Sequence, residues 1–298
     1  MSTSIPNDRI SKILRSQVPK NLRGSDRFLD IITWNIRFFN QRDRKRVRTI
    51  RNLMEELNAD IFVLQEIEEG ALDGIAEDLI DSGAGLYKTA YGTTGGEQRV
   101  AFMYDTEWVK AASNIDELFP EKPTVEVAGG VKEIFPRLPL HTKFVAFNEK
   151  DPFDFELVGV HLKSKRGGGG AQRTQAAKLL AQWVQKAVAS EEDIIITGDW
   201  NSPEDSAEWK PFKDLEIQGK VKFSSLNNDE PSFLSAGGRT SRIDLVGITE
   251  RTPIIEDKVT VVRWRDLKTD NEDVLKQVID TISDHLPVLT RFYFSDVD

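Results

Sequence analysis

Hydrophobic and polar positions change their period several times along the chain, and each change marks an element. Predominantly apolar segments at Leu29–Trp34 and Asp60–Gln65 predict strands. Between them, over about 42–58, Val47, Ile50, Leu53, Met54 and Leu57 share one stripe, which predicts an amphipathic helix. The alternation continues with a helix over about 71–81 and strands at Arg99–Tyr104 and Phe155–His161. A second striped helix, over about 172–189, carries Ala176, Leu179, Leu180, Trp183, Val184 and Val188. Strands at Ile194–Thr197, Arg242–Ile248 and Val288–Phe294 follow, separated by a loop-rich region with Trp209 and Phe212 and a polar excursion over 263–280. The segment 105–140 stays unassigned, with Thr124–Gly130 open between a hairpin and a substrate-facing loop. Strands and helices interspersed in this way predict an α/β fold, with sheets packed face to face and helices outside. The expected division is an N-terminal arm over 1–27 and a catalytic domain over 28–298.

Composition narrows the function classes. With 39% hydrophobic and 30% charged residues in 298, the chain can bury a good core. No apolar run approaches the ~20 residues of a membrane span, so no stable membrane association is expected, and the protein reads as a monomer. The N-terminus shows no apolar h-region, which weakly favours the cytoplasm unless a leader was removed. The absence of cysteine excludes disulfides, thiolate catalysis and cysteine zinc sites. A net charge of −9 argues against coating nucleic acid by bulk electrostatics, and fits a site that gathers carboxylates around a cation.

Candidate chemistry sits at the strand ends. Ile194-Ile195-Ile196-Thr197 runs into Gly198-Asp199-Trp200-Asn201, where the glycine permits a sharp turn and two oxygen-bearing side chains emerge together. Trp34-Asn35, Gln65-Glu66, His161-Leu162-Lys163-Ser164, Arg242-Ile243-Asp244 and Ser283-Asp284-His285 end or precede other strands. If these ends converge, four carboxylates (Glu66, Asp199, Asp244, Asp284) and two amides would suit a hard divalent ion such as Mg²⁺. Two imidazoles beside it could divide the proton work, with Asp244 or Asp284 fixing the tautomer of His285. His141, without an acidic neighbour in sequence, reads as structural.

Trp-Asn-Ile-Arg, Leu-Gln-Glu, Val-His-Leu-Lys-Ser, Gly-Asp-Trp-Asn, Arg-Ile-Asp and Ser-Asp-His-x-Pro occur in an order that resembles the endonuclease/exonuclease/phosphatase superfamily, in particular its deoxyribonuclease I-like members, over about 31–291. The resemblance implies a four-layer α/β sandwich, two central mixed β-sheets flanked by helices, and divalent-metal-dependent hydrolysis of a phosphoester. It places metal ligands on Glu66, Asn35 and Asp284, and a water-orienting pair on Asp199 and Asn201. It gives acid/base duty to His161 and His285, with Asp244 as the partner of His285. Mg²⁺ or Mn²⁺ is the implied cofactor, with Ca²⁺ as a candidate structural ion.

Within the superfamily, the His161-Leu-Lys-Ser segment, the glycine loop after it and Arg173 with Gln175 resemble bacterial deoxyribonuclease I-like nucleases. Lys163, Ser164, Lys165, Arg166 and Arg173 would then meet a DNA backbone, and Arg99 would place the phosphate. DNA is thus the expected substrate, cleaved with little sequence preference. The chain departs from the pancreatic type at Gln98, where an acid paired with the first histidine is expected, so His161 is expected to lack that carboxylate. The basic run Arg42–Arg48 reads as a solvated helix face. Two alternatives remain: a phosphatase or phosphodiesterase for a small-molecule or lipid-headgroup phosphoester, and a non-catalytic binding protein on the same fold.

Overall fold

The computed structural model describes residues 18–24, 27–147, 152–165, 167–224, 230–235, 238–261 and 272–294. In chain order the strands are β1 (Leu29–Phe39), β2 (Ile61–Ile67), β3 (Tyr87–Tyr91), β4 (Arg99–Asp105), β5 (Val109–Ala111), β6 (Asp116–Glu117), β7 (Thr124–Val127), β8 (Gly130–Glu133) and β9 (Leu140–Ala146). They continue as β10 (Phe153–His161), β11 (Ile194–Asp199), β12 (Val221–Ser224), β13 (Phe233–Leu234), β14 (Thr240–Ser241), β15 (Asp244–Thr249), β16 (Ile254–Val261) and β17 (Val288–Phe292). The α-helices are α1 (Arg44–Leu57), α2 (Asp73–Asp81), α3 (Gly170–Ala187), α4 (Lys210–Ile217) and α5 (Glu272–Thr281).

Two mixed sheets dominate, in the orders β16-β17-β1-β2-β4-β3 and β12-β15-β11-β10-β9-β5, with β6 also on β9. This is the α/β architecture the sequence predicts, with helices outside two packed sheets. Strand β10 shows how period-2 alternation builds the layers. Phe153, Phe155 and Leu157 enter the core between the sheets, with Ile31, Val63 and Phe102. Val158, Val160 and Leu162 join a second cluster under α3 and α4, with Leu180, Trp200 and Trp209. At Gly159 a Cβ would stand 2.9 Å from both Phe102 and Val63, so glycine is what lets β10 close onto β2 and β4.

Helix α1 starts where Asp43 caps the backbone N–H groups of Lys45 and Arg46, and it ends on Asn58 in the left-handed conformation. The unassigned 105–140 segment contains the hairpin β7–β8 and two short strands. Part of the polar excursion is helix α5, which buries Val278 and Ile279 on one side; 263–271 lie outside the described residues. Of the arm, residues 1–17 are likewise undescribed, while Val18 is buried and Leu22 packs against the core.

Candidate active site

Strand register aligns the chemistry. His161 pairs with Asp199 across β10 and β11, and Asp199 pairs with Asp244 across β11 and β15, so three functional side chains share one row. In the other sheet Asn35 pairs with Gln65, after which the register shifts and Glu66 bulges out at φ 62°. Gly198 makes the row feasible. Its φ is 149°, and a Cβ there would lie 2.0 Å from the Val160 carbonyl oxygen. Four of the non-glycine residues with positive φ, Arg37, Phe38, Glu66 and Asn201, belong to the same few loops. Strained backbone of this kind persists only where the surroundings fix it.

Side chains from both sheets then meet. The Asn35 amide donates to Glu66 Oε1 at 3.3 Å and to Asp199 Oδ2 at 3.1 Å, bridging the two carboxylates. Its side-chain oxygen accepts one bond, from the Arg37 N–H, so Asn35 positions both carboxylates while that oxygen keeps a lone pair for an ion. Asn201 donates its backbone N–H to Asp199 Oδ1 and its amide to Asp199 Oδ2. The second amide bond of Asn201, to the Leu162 carbonyl, ties that turn to the end of β10.

His285 Nδ1 lies 2.8 Å from Asp244 Oδ2, and its Nε2 is 3.9 Å from Asp199 Oδ2. Burial opposes charge on this imidazole, but Asp244 foremost, then Asp199, overcome it and raise the pKa to about 10. His161 behaves oppositely. Burial, then the fields of Arg137 and His285, hold it well below the ordinary range, so it stays neutral. Its Nε2 is 3.5 Å from Asp199 and 3.9 Å from Glu66. Its buried Nδ1 has no hydrogen-bond partner among the described residues, in keeping with glutamine at position 98. Burial, reinforced by Asp244 and opposed by His285, pushes Asp199 up to about 7.

Neighbouring contacts hold these groups. Ser283 Oγ donates to the Asn35 carbonyl and accepts from the His285 N–H, linking the ends of the first and last strands. The Trp34 indole donates to the His285 carbonyl, and Phe233 meets the His285 ring edge-on at 5.1 Å. Asp284 lies 4.0 Å from the Arg37 guanidinium and adds to the negative field that raises the His285 pKa.

Two places could hold a cation. Asp199, Asp244 and His285 bring ligand atoms within 4.8 Å of one another, and an ion there would have to displace the proton that His285 shares with Asp244. The Glu66–Asp199 side fits better. Glu66 accepts one bond on each oxygen, from Asn35 and from the Phe38 N–H, which leaves lone pairs on both. An oxygen set of this kind, completed by water and substrate, suits Mg²⁺ or Mn²⁺.

The expected substrate-binding cations divide. Lys163 and Ser164 lie at the mouth, and Lys165 is exposed beside them, while Arg166 lies outside the described residues. Arg173 is a correction. Only 3% of its side chain is exposed, and its fork grips both oxygens of Glu208 while Nη1 donates to the Lys163 carbonyl. Arg99 is another, since it donates to the Gly96 and Gly92 carbonyls and to Glu69, none of them in the cluster. Arg137, which donates to Gln98, also stands in the field of these carboxylates: burial lowers its pKa, and Glu66 and Asp199 oppose that. Sequence reading passed over it because Pro136-Arg137-Leu138-Pro139 has no periodicity. The only hint was a lone arginine between prolines just before a strand.

His141, read as structural, lies away from the row; its Nε2 is 2.5 Å from Glu156. Arg46, read as part of a solvated face, instead gives Nη2 to the carbonyls of Ile36, Arg37 and Ile282 at 2.6–2.7 Å. It thereby clamps the bulge after Asn35 to the loop before His285.

Solved structures share this architecture. An endonuclease/exonuclease/phosphatase from Bacteroides vulgatus superposes with a TM-score of 0.65 at 16% identity, over 90% of this chain and 99% of that one. Truncated Caenorhabditis elegans TDP2 gives 0.59 at 17% identity, over 92% and 100%. The Bacteroides thetaiotaomicron mannosyl-6-phosphatase Bt3783 gives 0.57 at 16% identity, over 88% and 98%. No curated protein matches the chain significantly in sequence. The model of the Endonuclease/Exonuclease/phosphatase family matches residues 32–285, a span that begins within β1, ends on His285 and contains every member of the cluster. By that match the chain belongs to the endonuclease/exonuclease/phosphatase family.

Proposed function

We propose that the protein is a divalent-metal-dependent phosphodiester hydrolase that cuts DNA with little sequence preference. The observation that carries the hydrolase reading is the shared row of His161, Asp199 and Asp244, closed by His285 and faced by Glu66. Asp199, raised to about 7 and steered by two bonds from Asn201, is suited to accept a proton from an attacking water. His285, charged and anchored by Asp244, and Arg137 offset negative charge growing on the phosphate. Neutral His161 can orient a phosphate oxygen or the water without adding charge. A divalent ion held by Glu66 and Asp199 supplies further charge neutralisation at the phosphate when bound.

Support for DNA is the mouth itself, where Lys163 and Lys165 flank the row beside a glycine loop, although the burial of Arg173 leaves fewer cations than expected. A second reading, a small organic phosphoester, draws on the cleft beside Arg137 and on the likeness to the mannosyl-6-phosphatase Bt3783. Nicking of supercoiled plasmid with Mg²⁺, Mn²⁺ or EDTA decides between them. Metal-dependent nicking, lost in EDTA, Asp199→Ala and His285→Ala, supports the DNA reading. Intact plasmid together with turnover of small phosphoesters supports the second.

A further inference from the structure

A cleft of about 780 Å³ opens off the active-site mouth, between the turn of hairpin β7–β8 and the glycine loop before α3. It borders the site, since Lys163 on its wall lies two residues past His161 at the end of β10, and Arg137 on the same wall stands in the field of Glu66 and Asp199. The hairpin wall is held in place by Gln172 of α3, whose amide donates to the Glu133 carbonyl at 2.6 Å. The volume falls within the range that encloses a small ligand and would accommodate a nucleotide unit.

Charge tells what kind of group fits. Lys132, Arg137 and Lys163 stand on its walls against one carboxylate, Glu133, in a chain whose net charge is −9. Burial first, then the neighbouring guanidiniums of Arg137 and Arg173, lower the pKa of Lys163. The rest of the wall is short: a Cβ at Gly129, Gly167 or Gly168 would meet nothing within 4 Å, so an anion can come close to the backbone.

We propose that this cleft is a second anion subsite, which takes the next phosphate along a nucleotide chain while the scissile ester lies at the row. The proposal rests on the phosphodiesterase reading and adds a substrate feature to it, a phosphate one unit from the bond that breaks. Lys132, exposed on β8, is the residue that would make the new contact and that the family's motif residues do not include.

The test compares a thymidine dinucleotide with and without a terminal phosphate, placed at either end. One of the two ends should raise kcat/KM by roughly tenfold or more, chiefly through KM, as expected for a charge-assisted contact. In Lys132→Glu, and in Gly129→Trp, which fills the cleft without a left-handed backbone, that gain should fall to about onefold. No gain at either end, or a gain that survives in both variants, overturns the subsite. Thymidine 3′,5′-bisphosphate and hexathymidylate run as competitors separate the two sources of such a phosphate. Tighter inhibition by the strand assigns the subsite to nucleic acid, and equal inhibition assigns it to a free nucleotide. If neither plasmid, dinucleotide nor bis-p-nitrophenyl phosphate is hydrolysed, the phosphodiesterase reading fails by itself. Calorimetric binding of the bisphosphate to the wild type and to Lys132→Glu then decides the subsite, with equal affinities counting against it.

Discussion

At the scale of single residues, the two histidines are set to opposite charge states by what surrounds them. His285 keeps its proton up to about 10 because Asp244 sits 2.8 Å from Nδ1. Its folded pKa lies above the ordinary 6.5, so its contribution to stability is full below 6.5 and is lost as pH rises through about 10. Asp244→Asn should let His285 fall toward the ordinary range and cost about 3 kcal/mol at pH 7, because a buried imidazolium loses its counter-charge. Imidazole NMR titration and urea unfolding at pH 7 and 10.5 check both effects, and the stability gap between the proteins should narrow at the higher pH. An unchanged His285 titration in Asp244→Asn would refute the pairing. Glu66 makes the complementary case. Glu66→Gln removes a carboxylate crowded toward Asp199 by the shared Asn35 amide, so melting temperature without metal should hold or rise while turnover falls at least about a hundredfold. Loss of fold by circular dichroism would contradict that.

At the scale of elements, two arginines read from sequence as surface cations prove to be fasteners. Arg46 joins three carbonyls from two loops that never touch in sequence, the bulge after Asn35 and the residue before Ser283. Arg46→Met should leave α1 capped by Asp43, yet reduce kcat roughly tenfold to a hundredfold with KM little changed, since it loosens the placement of Asn35 and His285. Wild-type kcat in that variant would sink the idea. Arg173→Ala should cost about 3 kcal/mol in urea unfolding by stranding Glu208, and Arg173→Lys should not restore it because a lysine cannot make the fork. If Arg173 touched DNA phosphate instead, its loss would lower the salt dependence of DNA binding by about one charge. Strand ends were legible because runs such as Ile194–Ile196 stop abruptly at Gly198 and Asp199, and the helices because their apolar stripes are plain. Side-chain direction was not legible. Nothing in Gln98-Arg99-Val100 says that Arg99 turns to Glu69, and nothing in Pro136–Pro139 says that Arg137 stands in the field of the carboxylates. Those choices come from partners far away in sequence, and the register shift after Gln65 that exposes Glu66 is likewise set by the neighbouring strands.

At the scale of the whole molecule, the proposed site draws on carboxylates buried in the fold, so an ion held there would compete with the proton for them. Asp199 carries a folded pKa of about 7 against an ordinary 3.8, chiefly through burial. A group raised in this way contributes stability that is present below 3.8 and is lost as pH rises through about 7. Metal-free protein should therefore lose stability between pH 6 and 8 through Asp199, and also through His285, whose imidazole gives up its proton near 6.5 when unfolded but keeps it to about 10 when folded. An ion held by Glu66 and Asp199 must displace the proton at pH 6 and finds it already gone at pH 8. At a fixed, subsaturating Mg²⁺ or Mn²⁺ concentration, the rise in melting temperature should accordingly be larger at pH 8 than at pH 6. EDTA should abolish the rise at both. Asp199→Asn should remove the pH dependence, and Glu66→Gln should weaken the response throughout, which separates the proton-linked ligand from the open one. A metal response that is equal at the two pH values, or greater at pH 6, would mean that the ion sits away from Asp199. The proton on that carboxylate would then belong to the water-activating step alone.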